Sequence, residues 1–160
     1  LEYQWLATPN WLISGNVAWL DARFDEYMFK GFNIADQQEV TNAPDFSGAI
    51  NVEYRTPLAR GGEISARIGY SWQDDVVATT EVTRDPVTGV VVAPITQDGY
   101  GLLNAGVVWR TGGAWTVALQ GTNLTDKDYL TTGYVIPSLG VRTGFHGAPR
   151  QVSLSVKYEF

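Results

Sequence analysis

Apolar and polar residues alternate with a period of two along most of this 160-residue chain, and a helical period is almost absent. The last ten residues show the alternation most clearly, because Val152, Leu154, Val156, Tyr158 and Phe160 are separated only by polar residues. Successive side chains of a strand point to opposite faces of a sheet, so this pattern predicts a strand with one apolar face. The pattern predicts seven strands, at residues 1–6, 11–19, 47–55, 63–73, 100–110, 115–123 and 151–160.

The connections between the predicted strands alternate between short and long. Residues 7–10, 57–62 and 111–114 are short turns rich in Gly, Pro and Asn, the residues that tight turns favour. Residues 25–43, 76–97 and 127–148 are long loops. Short turns on one side and long loops on the other are typical of an outer-membrane barrel with periplasmic turns and extracellular loops. In this orientation the chain ends on the periplasmic side.

Aromatic residues are concentrated near both ends of the predicted strands. Those beside a short turn or the C-terminus are Trp5, Trp11, Tyr54, Trp109, Trp115 and Tyr158, and those toward the long loops are Trp19, Phe46, Tyr70 and Trp72. The eight residues from Trp11 to Trp19 span roughly 20 Å of height in a tilted strand. Aromatic girdles flank the apolar band of membrane barrels, which is about 25 Å tall. A soluble barrel or sandwich with its apolar face inside is the alternative, and the loop asymmetry with the two aromatic belts favours the membrane barrel.

Composition narrows the function classes. Charged residues are 18 % of the chain, against roughly 25 % in ordinary soluble domains. A net charge of −6 argues against a nucleic-acid partner, and the absence of Cys excludes a disulfide scaffold or a zinc ribbon. The chain has no run of about 18 apolar residues, so no transmembrane helix is predicted. The chain begins at Leu1 with residues that already resemble a strand, so we expect it to be a piece of a longer protein.

No residue set predicts catalysis or a metal or cofactor site, and we therefore expect a protein that is not an enzyme and needs no cofactor. Asp74, Asp75 and the only histidine, His146, are interpreted as solvated loop residues. The charged residues of the polar face are expected to form a lattice of salt bridges; they are Glu53, Arg55, Glu63, Arg67, Arg110, Lys157 and Glu159.

The aromatic residues of the long loops leave two interpretations open. They either pack the loops together or provide a surface that grips a ligand. These residues are Phe24, Tyr27, Phe29 and Phe32 in the first long loop, and Tyr129, Tyr134 and Phe145 in the last.

Two stretches near the C-terminus resemble the end of TonB-dependent outer-membrane receptors. They are Gly-Thr-Asn-Leu-Thr-Asp-Lys-Asp-Tyr at 121–129, and the Gly-Ala-Pro-Arg entry to the last strand at 147–160. The resemblance implies an all-β, antiparallel up-and-down transmembrane β-barrel segment, in which residues 1–160 form the last seven strands of a 22-stranded barrel without its plug domain. It also implies that Val152, Leu154, Val156, Tyr158 and Phe160 form the signal read by the barrel assembly machinery.

The resemblance implies active uptake of a siderophore, a vitamin or an oligosaccharide across the bacterial outer membrane. The expected partners are membrane lipid, the rest of the barrel and its plug, TonB through that plug, the assembly machinery and the transported ligand. This chain would supply barrel wall, outer loops and the assembly signal. A small non-transport outer-membrane barrel and a soluble β-barrel binding module are the alternatives.

Overall fold

The computed structural model describes residues 1–79 and 84–160, and its main feature is one antiparallel sheet. The predicted second long loop, 76–97, includes residues 80–83, which lie outside the described residues. The strands of the described residues are β1 (Glu2–Thr8), β2 (Trp11–Trp19), β3 (Met28–Phe29), β4 (Phe32–Asn33), β5 (Phe46–Pro57), β6 (Gly62–Gln73), β7 (Val76–Val77), β8 (Thr96–Gln97), β9 (Tyr100–Thr111), β10 (Trp115–Thr122), β11 (Leu130–Ile136), β12 (Val141–His146) and β13 (Gln151–Tyr158).

The seven long strands form the sheet in the order β1-β2-β5-β6-β9-β10-β13, each antiparallel to the next. Each of the seven corresponds to a strand predicted from the alternation, and the predicted all-β, up-and-down fold is confirmed. Their ends differ by a few residues, since β5 begins at Phe46 and extends to Pro57. Within the described residues β1 and β13 are the two edges of the sheet and do not pair with each other.

The register collects the apolar side chains on one face of the sheet. One row across the sheet consists of Ile13, Val52, Ile68, Ala105, Gly121 and Val152. The adjacent row, one residue along each strand, consists of Ser14, Asn51, Gly69 and Asn104. Because side chains alternate between faces, the second row lies on the opposite, polar face.

The buried apolar residues of the described chain lie in the loops rather than on the sheet. They are Ile34, Val76, Val77, Ala78 and Val135. Apolar residues along the seven long strands are instead largely exposed, such as Leu154 at 69 %. The short strands pair as β3 with β4, β7 with β8, and β11 with β12. Two 3₁₀ helices, Ala35–Gln37 and Pro137–Leu139, also lie in the loops, and no helix in 1–79 or 84–160 has the length and apolarity to cross a membrane.

Candidate functional site

The three long loops pack together at one end of the sheet and form a cap. The second loop lies between the other two, because Asn42 N–H donates to Val77 O at 3.0 Å and Gly133 N–H donates to Ala78 O at 2.9 Å. Ile34 from the first loop and Val135 from the third are both buried, with Ile34 only 2 % exposed. The cap therefore has an apolar core of its own, in addition to its backbone hydrogen bonds.

Side chains also join the loops. Lys30 Nζ donates to Asp85 Oδ2 at 2.5 Å, which ties the first loop to the second. This bond is the main cause of a pKa for Asp85 that lies far below its ordinary value. The amide of Leu130 donates to Gln97 Oε1 at 2.7 Å, which ties the third loop to the second. The lowered pKa keeps the Asp85 carboxylate charged at neutral pH, so that it pairs with the Lys30 ammonium group.

An acidic cavity of about 780 Å³ opens between residues 22–45, which include the first loop, and residues 74–77 at the start of the second loop. Arg23 lies in its wall and pairs with Asp21 at 2.7 Å. Asp74 and Asp75, interpreted from the sequence as solvated loop charges, also lie in the wall. The other carboxylate residues of the wall are Asp25, Asp36, Glu39 and Asp45. Within the part of the chain that the structure describes, no group of three or more such side chains is arranged to hold a metal ion.

The loop aromatics pack mainly on one another. Phe24 meets Tyr27 edge to face at 5.1 Å between ring centroids, and Tyr134 lies 6.0 Å from Phe145. Tyr129 stacks on Tyr100 at 4.5 Å. These contacts favour the loop-packing interpretation for these residues. Phe32, Phe145 and Tyr134 nevertheless remain exposed, at 52 %, 50 % and 41 %, so the ligand-binding interpretation stays open for these three.

Tyr129 also explains the glycine at position 147. A Cβ atom built on Gly147 would lie 2.0 Å from Tyr129 Cζ, so a larger residue would displace the ring. Nearby, His146 is exposed as expected for a loop residue, but it also contacts Asp128 at 2.5 Å. The sequence did not indicate this pair, because the two residues are 18 positions apart and come together only when β11 and β12 pair.

The two C-terminal stretches that carry the family resemblance meet in the structure. Asn123 Nδ2 donates to Ala148 O at 3.0 Å, and Asp126 Oδ1 accepts from the Arg150 amide at 3.1 Å. Asn123 is 4 % exposed, so it lies inside this contact rather than at the surface. The first stretch therefore holds the chain at the entry to β13.

Comparison with solved structures places this sheet among receptor barrels. The ferric yersiniabactin uptake receptor FyuA from Yersinia pestis matches 99 % of the chain with a TM-score of 0.74 and 17 % identity. The siderophore receptor PiuA from Acinetobacter baumannii matches 98 % with a TM-score of 0.70 and 16 % identity. The chain has the barrel fold of TonB-dependent siderophore receptors. The resemblance stated from the sequence is thereby confirmed.

Further comparisons agree with this fold. The receptor in the FpvAI–pyocin S2 complex matches 99 % of the chain with a TM-score of 0.68 and 16 % identity. Among curated proteins, the ferric-pyoverdine M114 receptor PbuA of Pseudomonas sp. (strain M114) is 40 % identical over 62 residues, which is 39 % of this chain. A search of protein-family profiles finds no match. The predicted location in the bacterial outer membrane is confirmed by these matches, and the matching proteins are receptors rather than enzymes.

The chain spans a small part of each relative. It covers 7 % of the length of PbuA, 22 % of the FyuA chain and 20 % of the PiuA chain. In the receptor barrel fold, the apolar face of the sheet faces lipid and the polar face lines the lumen. We call these two sides the lipid face and the lumen face.

The lumen face has a shallow hollow of about 430 Å³, lined by Asn51, Glu53, Arg67, Asn104 and Gln120 among others. The charges expected to form a lattice instead make separate pairs. Arg110 reaches Glu63 at 3.0 Å, Arg55 contacts Glu53, and Lys157 contacts Glu159. Arg67 bonds the Asn51 amide oxygen at 2.7 Å rather than a carboxylate. Solvent screens exposed pairs of this kind, so they stabilise the wall little.

The residues predicted to form the assembly signal share one face of the chain end. Val152, Leu154, Val156 and Tyr158 alternate along β13 on the lipid face, and Phe160 follows the strand. Tyr158 lies 4.7 Å from Trp115 and 5.0 Å from Phe160 between ring centroids. An aromatic group therefore closes the short-turn end of the last strand pair. Recognition of these residues by the assembly machinery stays a prediction.

Proposed function

We propose that this chain is the C-terminal part of the barrel of an outer-membrane receptor that takes up a ferric siderophore by TonB-dependent transport. In this proposal residues 1–160 supply seven strands of the wall and three outer loops, and the plug domain belongs to another part of the protein. The observation that carries the proposal is the match of nearly the whole chain to siderophore-receptor barrels. The continuous lipid face across all seven strands supports it independently.

Each side of the sheet has a distinct task in this mechanism. The lipid face holds the wall in the membrane, and the lumen face borders the path and the plug. The cap formed by the outer loops meets the solute first. Energy reaches the transporter when TonB pulls on the plug, so this chain provides the passage and part of the outer binding surface.

A siderophore is favoured over a vitamin or an oligosaccharide by the named relatives. PbuA is a ferric-pyoverdine receptor and FyuA a ferric yersiniabactin uptake receptor. The local identity of 40 % to PbuA is well above the identity to either solved receptor named above. Uptake of an iron complex is therefore the specific activity that we propose.

Transport by the full-length protein tests this proposal. The complete gene would be expressed in a bacterial strain that lacks its own siderophore receptors, with and without functional TonB. We expect accumulation of ⁵⁵Fe from at least one ferric siderophore of a panel, and loss of that accumulation without TonB. Labelled cobalamin and maltooligosaccharides are the comparison solutes. TonB-dependent uptake of one of these solutes, with no iron uptake, would contradict the assignment of a siderophore as substrate. The assignment as a TonB-dependent transporter would still stand.

A further inference from the structure

The alternation of apolar and polar residues does not by itself define the register of the last strand pair. Along β10 and β13 apolar and polar residues alternate, and Leu119 stands opposite Leu154. A slip of one residue would turn the apolar face of β13 toward the lumen, which the pattern prevents. A slip of two residues keeps every side chain on its own face, so the alternation does not discriminate against it.

The connection between these strands does not set the register by its length. Residues 123–150, which we call the third outer loop, join Thr122 to Gln151. In a tight hairpin the turn type fixes the pairing, whereas a connection of this length is long enough to accommodate a shift of two residues. The register must therefore be fixed by specific contacts.

Asn123 provides such contacts at the outer end of the strand pair. Its Nδ2 donates to Lys127 O at 2.8 Å and to Ala148 O at 3.0 Å, and its Oδ1 accepts from the Lys127 amide at 2.8 Å. The backbone amide of Asn123 donates to Asn104 Oδ1 at 3.0 Å, which ties Asn123 to β9. A buried amide side chain with all these partners is costly to misplace, because buried polar groups that lose their hydrogen bonds do not regain bonds to water.

Asp126 provides a second connection to the same end of β13. Its carboxylate accepts from the Arg150 amide at 3.1 Å and pairs with the Arg150 guanidinium at 3.3 Å. Both Asn123 and Asp126 have left-handed backbones, with φ of 47° and 54°. Asn and Asp tolerate this conformation better than most residues. The tight turn between them thus points both side chains toward the entry of the final strand.

We propose that Asn123 and Asp126 form a clasp that fixes the register of β13 against β10 and closes the base of the third outer loop. Through Ala148 and Arg150 the clasp connects the strand that ends at Thr122 to the residues directly before Gln151. A shift of two residues would move these partners by about 7 Å and break the clasp's bonds to Ala148 and Arg150, the residues that lead into β13. The pair of Trp115 and Tyr158 limits the shift at the opposite end.

Disulfide trapping in the full-length receptor tests the clasp, and the segment contains no Cys to interfere. Ala118 and Ser155 stand opposite each other in the native register, so Ala118→Cys with Ser155→Cys reports that register. Ala118→Cys with Ser153→Cys, or with Lys157→Cys, reports a slip of two residues in either direction. Diagonal positions in an antiparallel pair lie about 7–8 Å apart, beyond disulfide reach, so neither slip reporter cross-links in the native pairing.

With the clasp intact, we expect only the native pair to cross-link in purified outer membranes. In the Asn123→Ala, Asp126→Ala background we expect the native yield to fall at least about threefold and a slipped pair to form. An unchanged native yield without slipped product would overturn the proposal. Asn123→Asp keeps the acceptor for the Lys127 amide but loses both bonds that the side chain donates. If the double variant does not reach the membrane, the yields of native and slipped cross-links are compared in Asn123→Asp instead.

Asn33→Ala is the matched control. The Asn33 side chain also caps loop backbone, accepting from the amides of Tyr27 and Ala35 at 3.1 Å each, but both partners are in the first loop. We expect this variant to cross-link only in the native register. Slipped product from Asn33→Ala would overturn the proposal, because general loosening of the cap would then account for the slip.

Discussion

A lysine placed at the middle of the lipid face tests which side of the sheet meets the membrane. Leu119 is 51 % exposed in β10 and stands between Val107 and Leu154 on the neighbouring strands. Gln120 is the next residue and points to the lumen face. Leu119→Lys and Gln120→Lys therefore add the same charge at almost the same height, on opposite sides of the wall.

The expected cost follows from the depth of Leu119. It lies four residues above Trp115 at the inner aromatic border, which is about 10 Å of height in a strand tilted near 40°. An apolar band about 25 Å tall has its middle close to this level. A lysine there costs about 2–4 kcal/mol, whereas a surface substitution such as Gln120→Lys stays within about 0.5 kcal/mol.

Urea unfolding of the full-length receptor in phospholipid vesicles, followed by tryptophan fluorescence, measures this difference. We expect Leu119→Lys to lower the free energy of unfolding by at least about 1.5 kcal/mol relative to Gln120→Lys. Equal stabilities would refute the assignment of the two faces. A larger loss for Gln120→Lys would also refute it, because the polar face would then be the one in an apolar environment.

Three further predictions concern other parts of the molecule. Because Lys30 lowers the pKa of Asp85 in the folded chain, their contact stabilises the cap fully above the ordinary pKa of 3.8 and is lost only as the pH falls from there through the lowered pKa. Protease resistance of the cap should therefore stay constant from pH 8 to 5, and Asp85→Asn should lower that resistance at pH 7. A double-mutant cycle of Trp115→Ala and Tyr158→Ala should give a coupling energy of about 0.5–1.5 kcal/mol in urea unfolding, and additive effects would argue against the aromatic contact. The isolated 160-residue segment should not refold in detergent into a protease-resistant, heat-modifiable monomer, because lipid does not tolerate open sheet edges.

The strands of the sheet were predictable because their signal is local. Alternation within ten residues and the turn at 111–114 are enough to define β9 and β10 and their pairing, and the structure extends the predicted β9 only to Thr111. The lipid face also follows from sequence, since the same alternation places Trp109 and Trp115 at one border.

The cap was not predictable, because its contacts join residues far apart in sequence. Nothing near Ile34 in the sequence indicates that it becomes buried, and Asn123 reaches Ala148 across 25 positions. The motif around Asn123 was recognised through the family resemblance, but its partner was not. Hydrogen bonds of this kind depend on a folded loop, for which the sequence has no periodic signal.

Labelling of single cysteines along β10 tests the central claim most directly. Each residue from Trp115 to Thr122 would be replaced by cysteine in the full-length receptor. Isolated outer membranes, opened so that the reagent reaches both sides, would then be treated with a charged maleimide that does not enter lipid. We expect labelling with a period of two, strong at Thr116, Ala118 and Gln120 and at least about tenfold weaker at Val117 and Leu119. Uniform labelling, or the reverse pattern, would contradict a strand that spans the outer membrane with one face in lipid.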